Sequence, residues 1–559
     1  MRKKWVSLWV FLSLAGIPGF ATMEGIEQEA ERREQLEHMI DAIDQEEELK
    51  KPVIKNDDDI AESPLGGGKD TDKADATFRL RGIDFQSDID VDTDVLRESV
   101  KQYIGTKVSL ADLKKIGMEL THKCREEGWL GSICYLPEQT SENGRIVYGI
   151  ASGTFGEIHI KNESKMKTDI IEAVARANML HGTAVNARSI ENALYRLNAM
   201  GGIRATAELK KATPERRGQV DIDIKVVDSQ RQRAIAYVEN YGTESAGRYR
   251  LGLIFDKYNF DGRGSNFQLA AINSNERLRN FAFDISTVSD KASTSRIGLN
   301  VAKTRYHLTK EFEDWDASGD SLDLTLYGST PLYKTVNSGL DWEYGYRYRN
   351  PVSDFGAFDI YSERTTHALY QKLSGYNRFT DGVLSYSLKQ SLGNTHNDSP
   401  HAEILNARGE GTFGKTEASA DLKYLLSRNL EFHTKVNAQL ASKGLDSSEK
   451  LYLGGATGVR AYGDGDANGD QGYLLQTELI YNTKVPGLAF NLFYDMGEAG
   501  NRRAEAPINL IRGWGVGAHF ARANDFFFRL DYARKIGFNH DVTSDTTKGR
   551  IWFLAGKIF

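Results

Sequence analysis

Two α+β repeat units followed by an antiparallel, sixteen-stranded transmembrane β-barrel is the fold class this sequence predicts. Three observations lead there. Residues 230–559 read as short segments of alternating apolar and polar residues separated by turns, the pattern of barrel strands. Residues 77–229 run through one order of elements twice, at a period of about 75 residues. Beyond the N-terminus no window is apolar enough for a spanning helix, while 25 Tyr, 25 Phe, 53 Gly and only 10 Pro suit strands and turns.

Residues 1–21 are predicted to be a cleaved secretory signal. Met1-Arg2-Lys3-Lys4 is the basic region, Trp5 to Ile17 the apolar run, and Gly19-Phe20-Ala21 the small-residue cleavage site. The apolar run is shorter than the ~20 residues a spanning helix needs. A net charge of −7 gives no electrostatic case for nucleic-acid binding. The two cysteines, Cys124 and Cys134, form a close, even pair, which in an oxidising compartment is most simply a disulfide. Closing so short a loop would contribute roughly 2–3 kcal/mol. No Cys-x-x-Cys and no neighbouring His or Asp pattern points to a metal or redox site.

Residues 22–51 are predicted to hold a helix, with Leu36, Met39, Ile40 and Ile43 on one stripe and an acidic remainder. Two readings stand: a solvated tail, or a polar helix seated in a water-filled pore. Residues 52–76, with Pro52, Asp57-Asp58-Asp59, Pro64 and Gly66-Gly67-Gly68, are predicted to be a flexible linker. Gly66-Gly67-Gly68-Lys69 lacks the strand and helix start of a phosphate loop.

The first repeat, residues 77–152, reads as strand (Phe78 to Phe85), helices (near Val95 to Tyr103 and Leu110 to Glu127), then strands (near Ser132 to Pro137 and Arg145 to Ile150). The second, residues 153–229, reads as strand (Thr154 to Ile160), helices (Lys167 to Ala177 and Ala187 to Met200), then strands (Arg204 to Lys210 and Gln219 to Val227). Gly128 and the pair Gly201-Gly202 sit at equivalent helix-to-strand turns, where glycine caps helices well. The order resembles that of polypeptide-transport-associated (POTRA) domains.

In the barrel region, Tyr249, Leu251, Leu253 and Phe255 are predicted to face lipid, with Arg248 and Arg250 inside. Likewise Phe526, Phe528, Leu530 and Tyr532 face out while Arg529 and Asp531 face in, which implies a wet lumen. The strand count is 16 or 17, Asn406 to Thr412 being the ambiguous piece. An even number is needed if both ends lie on one side, so sixteen is expected, with Asn406 to Thr412 in an external loop or at the tip of a long strand. The last strand ends on Phe559, which resembles the outer-membrane insertion signature, although Lys557 departs from its apolar alternation.

Residues 454–472 form a Gly/Asp-rich loop with a single arginine, and a loop of that length is usually functional. Its Val459-Arg460-Ala461-Tyr462, followed by Gly469-Asp470-Gln471-Gly472, resembles the Val-Arg-Gly-Tyr loop of two-partner secretion transporters, the TpsB or hemolysin-activator family. The family's second motif, Phe-x-Asp-x-Gly, is matched by Phe493-Tyr494-Asp495-Met496-Gly497. The segment order agrees with that family over essentially the whole mature chain.

By the strand count the loop follows the eleventh strand and is the sixth external loop, and the resemblance implies that it folds back into the lumen. It implies that residues 22–51 are a pore plug tethered by residues 52–76. It further implies an outer-membrane transporter of a Gram-negative bacterium, with POTRA domains in the periplasm and no enzymatic activity or cofactor. The partner would be a secreted exoprotein with an N-terminal secretion domain: a hemolysin, an adhesin or a contact-dependent inhibition toxin. The POTRA strand edges would bind it in extended form, and the helices beside Lys165 and Lys167 would add a groove. Outer-membrane lipid, periplasmic chaperones and the barrel-assembly machinery complete the implied partners of a functional monomer. The rival is a barrel-assembly or insertase member of the same superfamily, which usually carries more POTRA domains and no plug.

Alternation from Phe490 places Phe490, Leu492 and Tyr494 on lipid and Asn491, Phe493 and Asp495 in the lumen. An inward Arg460 can then form a bidentate pair with Asp495, which in a wet pore would set position more than it stabilises. Ala461 stands where the family has glycine, and alanine adopts a positive φ reluctantly. Asp464, Asp466, Asn468 and Gly469 imitate the start of a calcium loop, but its twelfth position is Leu475 rather than glutamate, so no metal is expected.

Overall fold

The computed structural model describes residues 54–56, 77–139, 143–501, 509–522, 525–537 and 546–559. The predicted signal (1–21) and plug helix (22–51) lie outside them. Inside the stretch expected to be a flexible linker (52–76), Ile54–Asn56 is a strand, β1.

The first α/β unit contains β2 (Phe78–Arg79), β3 (Gly82–Ser87), β4 (Lys107–Val108), β5 (Ser132–Tyr135) and β6 (Arg145–Ser152), with a main sheet of order β3-β6-β5. Its long helix, Leu110–Glu126, starts at a capping box made by Ser109 and Asp112 and ends in a turn carrying Lys123 and Arg125. Both ends therefore suit the helix dipole. Leu113, Ile116, Leu120 and Cys124 line the stripe that packs on the sheet.

Cys124 and Cys134 meet in this core, one on the helix and one on β5, both buried. They are free thiols with sulfurs 3.6 Å apart, well beyond the ~2.05 Å of a disulfide bond. The predicted disulfide is thus corrected: the helix-to-strand spacing holds the sulfurs in packing contact, where each serves as a small apolar side chain.

The second unit contains β7 (Thr154–Glu163), helices Thr168–Asn178 and Ala187–Asn198, β8 (Ile203–Lys211) and β9 (Gln219–Asp228). Its sheet order is β1-β8-β9-β7, so β1 completes it by pairing in parallel with β8, Ile54 opposite Ala207. Ile54 also packs against the apolar core of the unit. The reason is the open edge of β8, whose unpaired backbone groups accept any extended segment with an apolar residue in register.

This unit is docked on the short turns at the near end of the barrel. Arg196, buried, donates to the carbonyl of Ser293, in the turn after Asp290, and to that of Leu332, near the end of the strand Ala317–Lys334. Asn192 accepts from Lys334 N at 3.3 Å, and Lys291 pairs with Asp169. Gly201, at positive φ, abuts the Tyr258 ring where a side chain would collide. The Lys167 amide donates to the Gly262 carbonyl at 2.9 Å, so the segment expected to flank a peptide groove faces the barrel instead.

Sixteen strands close the barrel in consecutive antiparallel order. The first eleven are β10 (Gln232–Glu239), β11 (Arg250–Lys257), β12 (Asn266–Ser274), β13 (Arg279–Asp290), β14 (Ser295–His307), β15 (Ala317–Lys334), β16 (Ser338–Phe355), β17 (Ile360–Phe379), β18 (Gly382–Asn397), β19 (Gly411–Ser427) and β20 (Leu430–Ala441). An inward excursion holding β21 (Leu451–Tyr452) and β22 (Asn468–Gly469) follows. The wall resumes with β23 (Gln471–Asn482), β24 (Leu488–Gly500), β25 (Asn509–Ala521), β26 (Phe526–Lys535) and β27 (Gly549–Ile558), and β27 closes on β10. The ambiguous piece resolves as a turn after the short helix Pro400–Leu405, with Gly411 and Thr412 forming the tip of β19.

Alternation runs as the barrel pattern requires. Leu251, Leu253, Phe526, Leu530 and Tyr532 are exposed on the outer face, while Arg250 and Asp531 are buried inside. The high Gly and aromatic content has a shared cause: Tyr237, Tyr327, Tyr370 and Phe527 each lie over a directly opposite glycine, Gly252, Gly298, Gly345 and Gly556. A methyl group at any of these glycines would run into the ring, so each ring fills a slot that only glycine leaves.

Candidate functional site in the lumen

The excursion between β20 and β23 comprises residues 442–470. It begins before the predicted 454–472, and it ends sooner because Gln471 and Gly472 already pair with Gly500 and Ala499 in the wall. It has structure of its own. Leu451 and Tyr452 pair with Gly469 and Asn468, and Leu453 N, Gly454 N and Val459 N donate to Ala467 O, Asp466 O and Leu453 O. Asp466, from the calcium-like stretch, accepts from the Gly463 amide at 2.8 Å.

The folded loop carries Arg460 into the lumen, where it is 1% exposed. Its Nε and Nη2 donate to the two oxygens of Asp495 at 2.8 and 2.7 Å, a bidentate pair, and its backbone N adds a third bond at 3.1 Å. Nη1 donates to Glu478 Oε1 at 2.5 Å and lies 3.5 Å from Asp531 Oδ2. Beneath the guanidinium, the Phe493 ring centre is 3.4 Å away. Trp552 Nε1 donates to the Arg460 carbonyl at 2.6 Å. Arg529 brings a second guanidinium, bonded to Glu478 at 2.8 Å and Asp531 at 2.7 Å.

Two guanidinium groups thus face three carboxylates, and Asp495 is fully buried. Arg460 and Asp495 are closed off from solvent although the charged lumen implied a wet pore, while Arg529 stays partly exposed. Charges held without water must be matched, because removing one partner of such a pair costs roughly 3–5 kcal/mol.

Every motif residue touches this assembly. Period-two alternation puts Phe493, Asp495 and Gly497 on one lumenal face of β24, with Phe490 and Leu492 exposed outside. Phe493 stacks under Arg460 while lying across Gly515; Asp495 binds Arg460; Gly497 leaves the space that Leu453 of the loop fills. Val459 and Tyr462 are buried with Leu453, Leu474 and Ile511, and the Lys535 ammonium sits 4.9 Å above the Tyr462 ring. Ala461 is absent from the residues with positive φ, so alanine is at no disadvantage there. Its Cβ occupies the space left by Gly513 of β25.

Four partners were missed in the sequence: Glu478, Arg529, Asp531 and Trp552. Arg529 and Asp531 carried a signal, as lumen-facing charges two residues apart, but nothing local linked them to a loop some seventy residues earlier.

The profile of the family described as haemolysin secretion/activation protein ShlB/FhaC/HecB matches residues 218–520. A POTRA domain of ShlB type matches residues 78–148. The heme/hemopexin transporter protein HuxB of Haemophilus influenzae strain 86-028NP is 27% identical over 485 residues, which is 84% of this chain and 85% of that protein. The structure of CdiB from Escherichia coli superposes with a TM-score of 0.68 at 16% identity, covering 97% of this chain and 99% of that one. BamA from Haemophilus ducreyi, in a form lacking POTRA domains 1–3, gives 0.50 at 13% identity over 86% and 100%. These two likenesses show the fold. The profile spans more than half of the chain, and the protein belongs to the ShlB/FhaC/HecB haemolysin secretion/activation family, transporters of two-partner secretion that sit in the outer membrane with POTRA domains in the periplasm.

Proposed function

We propose that this transporter captures one large, unfolded exoprotein in the periplasm and passes it through its barrel to the cell surface. The inward loop serves as the gate. The observation that carries this reading is the buried, bidentate Arg460–Asp495 pair, which seats a 29-residue excursion across the route a polypeptide would take. The pair is made of a loop residue and a wall residue, so breaking it frees the loop without unpairing a strand. HuxB is named for heme/hemopexin transport and CdiB is a relative by name, so a TpsA-type hemolysin, adhesin or inhibition toxin are the cargo classes to test. The closed barrel leaves no unpaired edge, which supports a functional monomer in outer-membrane lipid. Its assembly would draw on periplasmic chaperones and the barrel-assembly machinery.

Arg460→Ala and Asp495→Ala are expected to abolish export while leaving the barrel inserted and heat-modifiable on gels. Normal secretion from either variant would sink the gate reading. The insertase alternative is less favoured, since the CdiB fold is matched over more of the chain and more closely than BamA.

A further inference from the structure

The loop is held at a second place, which none of the motifs covers. At its root, Asp446, Ser447, Ser448 and Glu449 are each at most 3% exposed. They form a short turn capped by Asp446, whose Oδ1 accepts the Ser448 amide at 3.0 Å. Four cations reach this turn from the wall. Arg347 and Arg349, two apart on β16 and therefore on one face, both pair with Glu449. Arg349 also donates to the Ser448 carbonyl and pairs with Asp323 of β15. Arg364 of β17 donates to Asp446 Oδ2 at 3.1 Å and Ser447 Oγ at 2.9 Å. Lys415 of β19 lies 2.9 Å from Glu449 Oε2. Gln439, near the end of β20, donates to Glu449 O at 3.0 Å and Asp470 O at 3.1 Å, which gathers the incoming and outgoing limbs together.

All four cations are buried, at no more than 9% exposure. Besides the acidic turn, only Asp323 beside Arg349 and Glu417, 3.6 Å from Lys415, offset these four clustered like charges among the described residues, so the turn supplies most of the matching negative charge. The cluster also stands apart from the tip. Its strands β16 to β19 are the seventh to tenth of the ring, whereas the tip is held by the twelfth to sixteenth. The loop therefore bridges two different stretches of wall. Between Glu449 and Arg460 the chain can reach up to ~36 Å when extended, enough for the tip to leave while the root stays.

We propose that the Asp446–Glu449 turn is a second anchor. It keeps the root of the loop on β16 to β19 throughout transport, and the tip at Arg460 is the part that moves. Glu449 is its positioning residue, because it alone meets three of the four cations. This inference rests on the gate reading above, but its test needs no exported partner.

The test uses the full-length protein with Cys124 and Cys134 replaced by serine, carrying either Ser447→Cys or Ala456→Cys, and a membrane-impermeant maleimide applied from outside. With Arg460→Ala, labelling at position 456 should rise roughly tenfold while position 447 stays protected, since only the tip pair has been removed. With Glu449→Gln or Asp446→Asn, position 447 should itself become labelled roughly tenfold faster, and Glu449→Asp should restore protection. Heat-modifiable migration confirms insertion in each case. If Glu449→Gln fails to insert, Asp446→Asn decides. The proposal is overturned if Arg460→Ala exposes both positions equally, or if position 447 stays protected in the root variants. Continued export by Arg460→Ala would instead count against the gate reading alone.

Discussion

Ala461 and Gly513 share the space of one methyl group. A Cβ on Gly513 would lie 2.5 Å from the Ala461 Cβ and 3.2 Å from the Arg534 carbonyl oxygen. Gly513→Ala is therefore expected to unseat the loop tip, at a cost of about 1–3 kcal/mol for overpacking. Adding Ala461→Gly should recover much of the loss. A double-mutant cycle on the midpoint of heat-modifiable unfolding reads the coupling, and additive effects would contradict it. Arg460→Lys is expected to lose export almost as fully as Arg460→Ala in a secretion assay. An ammonium cannot bind Asp495 bidentately, reach Glu478 at the same time and stack on Phe493. At this scale the sequence was legible where alternation reaches. Phe490, Leu492, Phe493 and Asp495 fall on the faces expected from period two. Glu478 and Trp552 were not legible, because they meet Arg460 only after strands distant in sequence become neighbours. The disulfide failed for a related reason: spacing shows that two cysteines can meet, while the sulfur separation is set by helix-on-sheet packing.

Among elements, β1 shows that the β8 edge of the second α/β unit accepts an extended strand. The exoprotein segment would compete for this same edge if it binds by strand addition. Ile54→Asp removes an apolar contact that seats β1 on the core and places a charge there. Binding of an extended exoprotein peptide to this variant, followed by fluorescence anisotropy, is expected to be tighter than to the wild type. Unchanged affinity would place the peptide elsewhere. A three-residue strand in a Pro- and Gly-punctuated stretch has no periodicity to detect, so it was invisible in the sequence. The helices and strands of both units were visible, since their stripes and caps are local. The docking of the Ala187–Asn198 helix was not, because Arg196 bonds to backbone carbonyls, which carry no residue signature.

At the scale of the whole molecule, the wall is uneven: β15 to β17 have 18 to 20 residues each, against 8 or 9 in β10 to β12. The tall side carries the root cluster and the opposite stretch carries the tip, so the loop obstructs the lumen whatever residues 22–51 do. Deleting residues 22–51 should raise single-channel conductance in planar bilayers if they plug the pore. Combining that deletion with Arg460→Ala should raise it further, since loop and plug are separate obstructions. No increase from the deletion alone would remove the plug assignment.

By itself the sequence determined the order of repeats and barrel, the sixteen strands, and the inward face of Asp495. Each of these depends on periodicity and turn chemistry, which act over a few residues. Only the tertiary structure decided that Arg460 is dry, that four wall cations hold the root, and that two thiols stay unbonded. Those outcomes follow from barrel closure and core packing, which bring together groups about a hundred residues apart and exclude water from between them.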